Sequence, residues 1–186
     1  MKDIKGIMLL ADLFEDIEAI GTLDLLRRAK INIDTVSVTG KKELKTQSNI
    51  ILQADKLVEE INLDEYDFCI LPGGQAIMKT HLNSDITKMV LEVFLKKNLL
   101  VACICAAPSV IGKEGYLNNL DYTCFPSFEK MIENGNYQPD KKVVVSGNII
   151  TSKACGTTFE FAYEIIKYLR GSSIADHVLS GIFYQN

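Results

Sequence analysis

Residues 99–109 read Leu-Leu-Val-Ala-Cys-Ile-Cys-Ala-Ala-Pro-Ser, an apolar run long enough for a buried strand that breaks off at Cys105. The residues two places before and two places after it, Cys103 and Ala107, are both small. A nucleophile elbow has this steric requirement, because its strand turns sharply into a helix and holds the central residue in a strained, exposed conformation. The stretch therefore predicts a thiol at a helix N-terminus, where the helix dipole would lower the thiol pKa. A buried cysteine at the end of a core strand is the alternative interpretation.

Strand-like and helix-like patterns alternate along the rest of the chain. Residues 4–11 form a continuous apolar run, typical of a strand covered on both faces, and residues 14–29 repeat apolar side chains at helical spacing. The other predicted elements are strands at 33–38, 68–71 and 122–124, hairpins around 49–52 and at 143–152, and helices at 84–97, 126–134, 156–169 and 174–179. This alternation predicts one α/β domain over residues 1–186, with a mostly parallel sheet and helices on both faces.

Composition and charge argue against several classes of function. Apolar residues make up 47% and charged residues 24% of the 186-residue chain, as in ordinary globular proteins with a sizeable core. The net charge of −4 is spread without a basic stripe, so no specific nucleic-acid partner is expected. The apolar stretch near the N-terminus is too short and too charged for a signal peptide, and no apolar run approaches bilayer length, so no membrane association is expected.

The cysteines are expected to be reduced thiols. The chain has 5 cysteines, an odd set without an export signal, which favours the cytoplasm over a disulfide framework. The spacing of Cys103 and Cys105 could suggest a metal site. His81 and His177 are remote from them in sequence, so no metal site is expected.

Three groups able to take part in catalysis follow strand ends that share one predicted edge of the sheet, and functional sites of such folds lie at this edge. They are the acidic residues after the first strand, the Gly73-Gly74 turn and Cys105. Backbone N–H groups of the glycine turn and of Ala106 can point at a developing oxyanion, although a Gly-Gly pair also serves simply as a tight turn. Glu18 is offset from its apolar neighbours so that it can face inward, but acidic residues there also complement a helix dipole.

The chain resembles the ThiJ/PfpI superfamily, and in particular its DJ-one type branch, over nearly its whole length. The resemblance is carried by four motifs in the family's order and spacing: FEDIE at 14–18, LPGG at 71–74, ACICAAP at 102–108 and GTTFEFA at 156–162. It implies a flavodoxin-like α/β sandwich that is usually a homodimer. It also implies a nucleophilic, oxidation-prone Cys105, a buried Glu18 hydrogen-bonded to it, and Gly74 and Ala106 as oxyanion donors beside Gly73.

One departure from the family pattern bears on mechanism. Many members carry a His-Pro pair after the next strand, whereas this chain has Phe125 before the proline, and Phe125 cannot take a proton. His81 and His177 do not match the family histidine, so proton transfer is expected from Glu18 or from water.

The resemblance implies a glyoxalase III or protein deglycase type of enzyme that needs no cofactor. Its substrates would be methylglyoxal-like ketoaldehydes or their early adducts on proteins and nucleotides. An oxidative-stress sensor or redox-regulated chaperone that uses oxidation of Cys105 is the alternative. An intracellular cysteine peptidase is a weaker alternative, because Phe125 replaces the histidine that such a triad requires.

Overall fold

The computed structural model describes residues 3–184, within which it has eleven strands and six α-helices. The strands are β1 (Lys5–Leu10), β2 (Asn32–Ser37), β3 (Glu43–Lys45), β4 (Ile51–Gln53), β5 (Lys56–Leu57), β6 (Phe68–Leu71), β7 (Leu100–Ile104), β8 (Asp121–Tyr122), β9 (Asn136–Tyr137), β10 (Val143–Ser146) and β11 (Ile149–Ser152). The α-helices are α1 (Thr22–Arg28), α2 (Ala76–Lys79), α3 (Asp85–Lys96), α4 (Pro108–Lys113), α5 (Thr158–Arg170) and α6 (Ser172–Gly181). Shorter turns are a π-helical turn at Ile17–Gly21 and 3₁₀ turns at Val58–Glu60, Leu63–Glu65, His81–Asn83, Phe128–Met131 and Cys155–Thr157.

Seven strands form one sheet in the order β10-β11-β7-β6-β1-β2-β5. Neighbouring strands run parallel except for β10 and β11, which form the hairpin predicted at 143–152. Every residue of β6 and β7 is buried, and because side chains alternate along a strand, both faces of the sheet are covered there. Helix α3 packs on β6 and β7, while α5 packs on β7, β11 and α1. The predicted flavodoxin-like α/β fold, with its mostly parallel sheet, is confirmed.

The peripheral hairpin predicted around 49–52 is confirmed as β3 and β4, which pair outside the main sheet. The first predicted helix begins at Ile17 rather than at residue 14, as a π-helical turn that continues into α1. No helix in the described part of the chain is both long and apolar enough to cross a bilayer.

The helix predicted at 126–134 is wrong. Only one 3₁₀ turn forms there, because Ser127 has a φ of 84°, a left-handed conformation that an α-helix cannot contain. The strand predicted at 122–124 is also shortened, since β8 has two residues and pairs with β9 rather than with the main sheet. The chain after β8 is therefore free to turn back toward the end of β7.

Candidate active site

Cys105 is the first residue after β7 and has a φ of 65°. A left-handed conformation costs a non-glycine residue about 1–3 kcal/mol and persists only where the surrounding structure holds it. Two backbone hydrogen bonds do so: the Cys105 N–H donates to the Ser152 carbonyl at 3.0 Å, and the Cys105 carbonyl accepts from the Phe125 N–H at 2.7 Å. Helix α4 begins at Pro108. The backbone therefore has the strand-turn-helix geometry of a nucleophile elbow, with its side chain partly exposed.

Glu18 is fully buried, and its carboxyl group faces Cys105. The π-helical turn that carries it leaves Ile17 and Ile20 exposed and directs Glu18 inward. Oε2 of Glu18 accepts a hydrogen bond of 2.7 Å from the Gly73 N–H, and the carboxyl also interacts with the Cys105 thiol. Oε1 is buried without a hydrogen-bond partner of its own, so one carboxyl oxygen is anchored and the other is free for proton transfer.

The Gly73-Gly74 turn permits this close approach. A Cβ atom at Gly73 would lie 2.6 Å from the Cβ of Cys105 and 2.7 Å from Oε2 of Glu18, which real side chains do not tolerate. Gly74 has a φ of 90° and pairs with Phe14 through an isolated bridge. The turn therefore needs glycine for space at one position and for conformation at the other.

Burial shifts the pKa values of both Glu18 and Cys105. It raises the pKa of Glu18 to about 7, with a smaller raising effect from the charge of Glu15 and an opposing one from the Gly73 N–H. Burial also raises the pKa of the Cys105 thiol, as does the neighbouring Glu18 carboxylate. Hydrogen bonds from the backbone N–H groups of Gly74 and Ala106 lower it.

The expected lowering of the Cys105 pKa by a helix dipole is thus wrong for the free protein. The reason is desolvation together with a like charge, which outweigh the N–H groups. The two groups titrate as a pair, in which protonation of Glu18 removes the repulsion and provides a hydrogen-bond donor for the sulfur.

A cleft of about 380 Å³ opens above this pair. Its walls are largely apolar, and Phe125 and Phe128 stack edge-on along one side, with ring centroids 6.4 Å apart. The residues lining it are Glu15, Glu18, Gln47, Gly74, Gln75, Met78, Lys79, Cys105, Ala106, Phe125, Phe128, Ala154 and Cys155. The structure thus places Cys105, Glu18, Gly74 and Ala106 around one cavity, with Gly73 directly behind them.

Cys155 also lines this cleft, and the sequence analysis did not single it out. The available signal was its place just after β11, whose carboxyl end lies on the same edge of the sheet as that of β7. Neither histidine lines the cleft. His81 is buried against Thr87, with its Nδ1 2.9 Å from the Thr87 Oγ1, and His177 is exposed on α6. Residues 3–184 contain no group of three or more potential metal ligands.

Fold and site together define an α/β protein with a cysteine elbow at the carboxyl edge of a parallel sheet, beside a buried carboxylic acid. The chain belongs to the DJ-1/PfpI family, whose family model matches residues 5–168.

Individual relatives agree with this assignment. The chain is 32% identical over 178 residues to protein dj-1beta of Drosophila melanogaster, covering 95% of each chain, and the crystal structure of that protein superposes with a TM-score of 0.93 at 30% identity over 100% of both chains. A protein of Pyrococcus abyssi named as a deglycase is 30% identical, covering 90% of this chain and 100% of its own length. A Caenorhabditis elegans protein named as a glutathione-independent glyoxalase is 28% identical, and the match covers 89% of this chain and 88% of that protein's length.

Proposed function

We propose that this protein is a cofactor-independent enzyme that converts methylglyoxal-like ketoaldehydes, or their early adducts on proteins and nucleotides, to hydroxyacids. The observation that carries the proposal is the pair formed by Cys105 and the buried acid Glu18 at the base of an apolar cleft. Such a pair supplies the nucleophile and the proton-transfer group that this isomerisation needs. The names of the deglycase and glyoxalase relatives support the same class of reaction.

In the proposed first step, ionised Glu18 takes the proton of the Cys105 thiol, the sulfur attacks the aldehyde carbon, and the carbonyl π bond opens to an alkoxide. Gly74 and Ala106 would stabilise the alkoxide, since their N–H groups already point at the sulfur in the free protein. Protonated Glu18 then gives its proton to the alkoxide. The products of this step are a neutral hemithioacetal and an ionised Glu18.

In the second step, ionised Glu18 removes the hydrogen from the former aldehyde carbon, and the released electron pair forms an enediolate with the neighbouring ketone. Return of the proton to the ketone carbon gives a hydroxyacyl thioester on Cys105. Water hydrolyses the thioester, so methylglyoxal leaves as lactate, glyoxal leaves as glycolate, and the thiol is restored. The overall reaction adds one water molecule and needs no oxidant or reductant.

We further infer that the partner of this chain is a second copy. Ile17 and Ile20 of the π-helical turn are exposed, as are Ile50 and Ile51 at the β3–β4 hairpin. The Ser48 N–H donates to Asp16 Oδ2 at 3.2 Å and so joins the two segments. This apolar surface is the feature that supports the homodimer implied by the family. The free state of all five cysteines favours a reducing compartment such as the cytoplasm.

An oxidative-stress sensor is the second candidate. The observation in its favour is the polar cage around the sulfur, because the N–H groups of Gly74 and Ala106 and a protonated Glu18 can also hold a sulfinate. The peptidase alternative remains weaker, since Phe125 occupies the cleft wall and neither His81 nor His177 lines the cleft.

Lactate formation from methylglyoxal tests the proposal. The wild type should form lactate and Cys105→Ala should not, whereas Cys124→Ala, which removes a buried thiol outside the cleft, should keep the activity. Equal lactate formation by wild type and Cys105→Ala would overturn the enzyme assignment. Oxidation of Cys105 by peroxide in a protein that forms no lactate would favour the sensor, and casein hydrolysis dependent on Cys105 would restore the peptidase.

A further inference from the structure

Two cysteines line the cleft, Cys105 and Cys155. We propose that they form a redox pair, in which Cys155 captures oxidised Cys105 as an intramolecular disulfide and protects it from irreversible oxidation. The inference rests on the proposed reactivity of Cys105 but not on any turnover of carbonyl compounds.

The pairing of β7 with β11 brings the two cysteines to one edge of the sheet. Ile104 is in register with Ser152, and the Cys105 N–H donates to the Ser152 carbonyl at 3.0 Å. Cys155 follows Ser152 by three residues, which span at most about 11 Å when extended. A disulfide requires Cα atoms about 4.4–6.8 Å apart, a separation that lies within this span and that the 3₁₀ turn would have to adopt as the bond forms.

The 3₁₀ turn Cys155–Thr157 is anchored at Thr157 and exposed at Cys155. The Thr157 hydroxyl contacts the Ser152 hydroxyl at 2.7 Å and accepts from the Ala154 N–H at 3.2 Å, which anchors Thr157 to β11. Cys155 and Gly156 are exposed on the outside of the turn. The Cys155 carbonyl accepts a hydrogen bond of 2.8 Å from the Thr158 hydroxyl of α5, which a movement of Cys155 toward Cys105 would have to release.

The remaining cysteines are poorly placed for this reaction. Cys69 and Cys103 lie within core strands, and Cys124 is fully buried and does not line the cleft. Cys155 is exposed; burial and the charges of Glu15 and Glu18 raise the pKa of its thiol, against smaller lowering effects of hydrogen bonds from the backbone N–H groups of Gly156 and Cys155. The Glu18 charge acts on both thiols of the cleft.

The reaction uses a hydroperoxide as the oxidant. The Cys105 thiol gives up its proton and attacks the terminal peroxide oxygen, the O–O bond breaks, and the proton passes to the departing oxygen, so that Cys105 becomes a sulfenic acid while water or an alcohol leaves. The Cys155 thiol then attacks the Cys105 sulfur, the S–O bond breaks, and a second water leaves as the disulfide forms. Two thiols have lost one electron each and the peroxide has gained both. A small dithiol restores the starting state by thiol–disulfide exchange.

Peptide mapping after peroxide treatment tests the pair. The full-length reduced protein is exposed to about 0.1 mM hydrogen peroxide, blocked with N-ethylmaleimide, digested without reductant and analysed by mass spectrometry. The tethered Cys155 thiol acts at an effective concentration on the order of 1 mM, about ten times that of the peroxide. Capture of the Cys105 sulfenic acid should therefore be about tenfold faster than its further oxidation to sulfinate. We expect a Cys105–Cys155 linked peptide in the wild type and about tenfold more Cys105 sulfinate in Cys155→Ser. Cys124→Ser is the matched control and should behave as the wild type.

Absence of the linked peptide, with equal sulfinate in wild type and Cys155→Ser, would refute the pair. A link between Cys105 and Cys124, or a link only between two chains on a non-reducing gel, would also refute it. These readouts do not require lactate formation, so the redox pair and the proposed enzyme activity can fail separately.

Discussion

Replacing Glu18 by Gln should change how stability depends on pH. Burial raises the pKa of Glu18 from 4.5 to about 7, so the folded protein holds this proton more tightly than the unfolded chain does. The associated stability is fully present below about pH 4.5 and is lost as the pH rises through about 7. The full difference corresponds to about 3 kcal/mol in the free energy of unfolding, of which about 2–3 kcal/mol falls between about pH 5 and about pH 8.

Glu18→Gln has no proton to lose at this position. Its amide oxygen can accept from the Gly73 N–H as Oε2 does, and its NH₂ group can face the sulfur. The free energy of unfolding of the variant, relative to wild type, should therefore rise by about 2–3 kcal/mol between about pH 5 and about pH 8. His81, whose pKa burial lowers to about 4, contributes equally to both proteins and cancels in the comparison.

Urea denaturation of both proteins across this pH range measures the difference. Glu43→Gln removes an exposed carboxylate from β3 and is the control for the loss of a charge alone. Lactate formation on the same samples should fall by about 10²–10⁴-fold in Glu18→Gln, as expected when a placed proton-transfer group is removed. Parallel stability curves for wild type and Glu18→Gln would refute the buried, protonated acid. Full lactate formation by the variant would remove Glu18 as the catalytic base.

Three further outcomes are expected. Alkylation by iodoacetamide at neutral pH, followed by mass spectrometry, should modify the two cleft cysteines, Cys105 and Cys155, and spare the buried Cys69, Cys103 and Cys124; labelling of a buried thiol in the folded protein would contradict the structure. Gly73→Ala should lower the free energy of unfolding by about 1–3 kcal/mol in urea titrations, because its Cβ would overlap Cys105, and an unchanged midpoint would show that the turn has more room than described. Phe125→His should leave the circular dichroism spectrum and lactate formation largely unchanged, since the proposed chemistry uses no histidine; a gain of Cys105-dependent casein hydrolysis would show that Phe125 alone blocks peptidase activity.

Local sequence pattern was sufficient for most of the fold. The apolar runs that became β1, β6 and β7 are buried on both faces, and burial of this kind is visible in sequence as a run without alternation. The helix expected at 126–134 failed because one left-handed residue, Ser127, depends on how the chain returns to Cys105 rather than on local propensity.

The site was harder to predict than the fold. Motif spacing brought Cys105 and Glu18 to one edge of the sheet, but the direction of the Cys105 pKa depends on desolvation and on a carboxylate from a distant part of the chain. The place of Cys155 in the cleft likewise follows from the pairing of β11 with β7, which no short segment of sequence contains.

The two backbone hydrogen bonds that hold Cys105 have a consequence for biosynthesis. Both come from later parts of the chain, one from Phe125 and the other from Ser152 at the end of β11. A nascent chain that has exposed β7 but not β11 lacks the partner strand, and non-local pairing of this kind forms only after the intervening segment has been made. Until β11 has been made, Cys105 therefore lacks one of the two hydrogen bonds that hold its left-handed conformation.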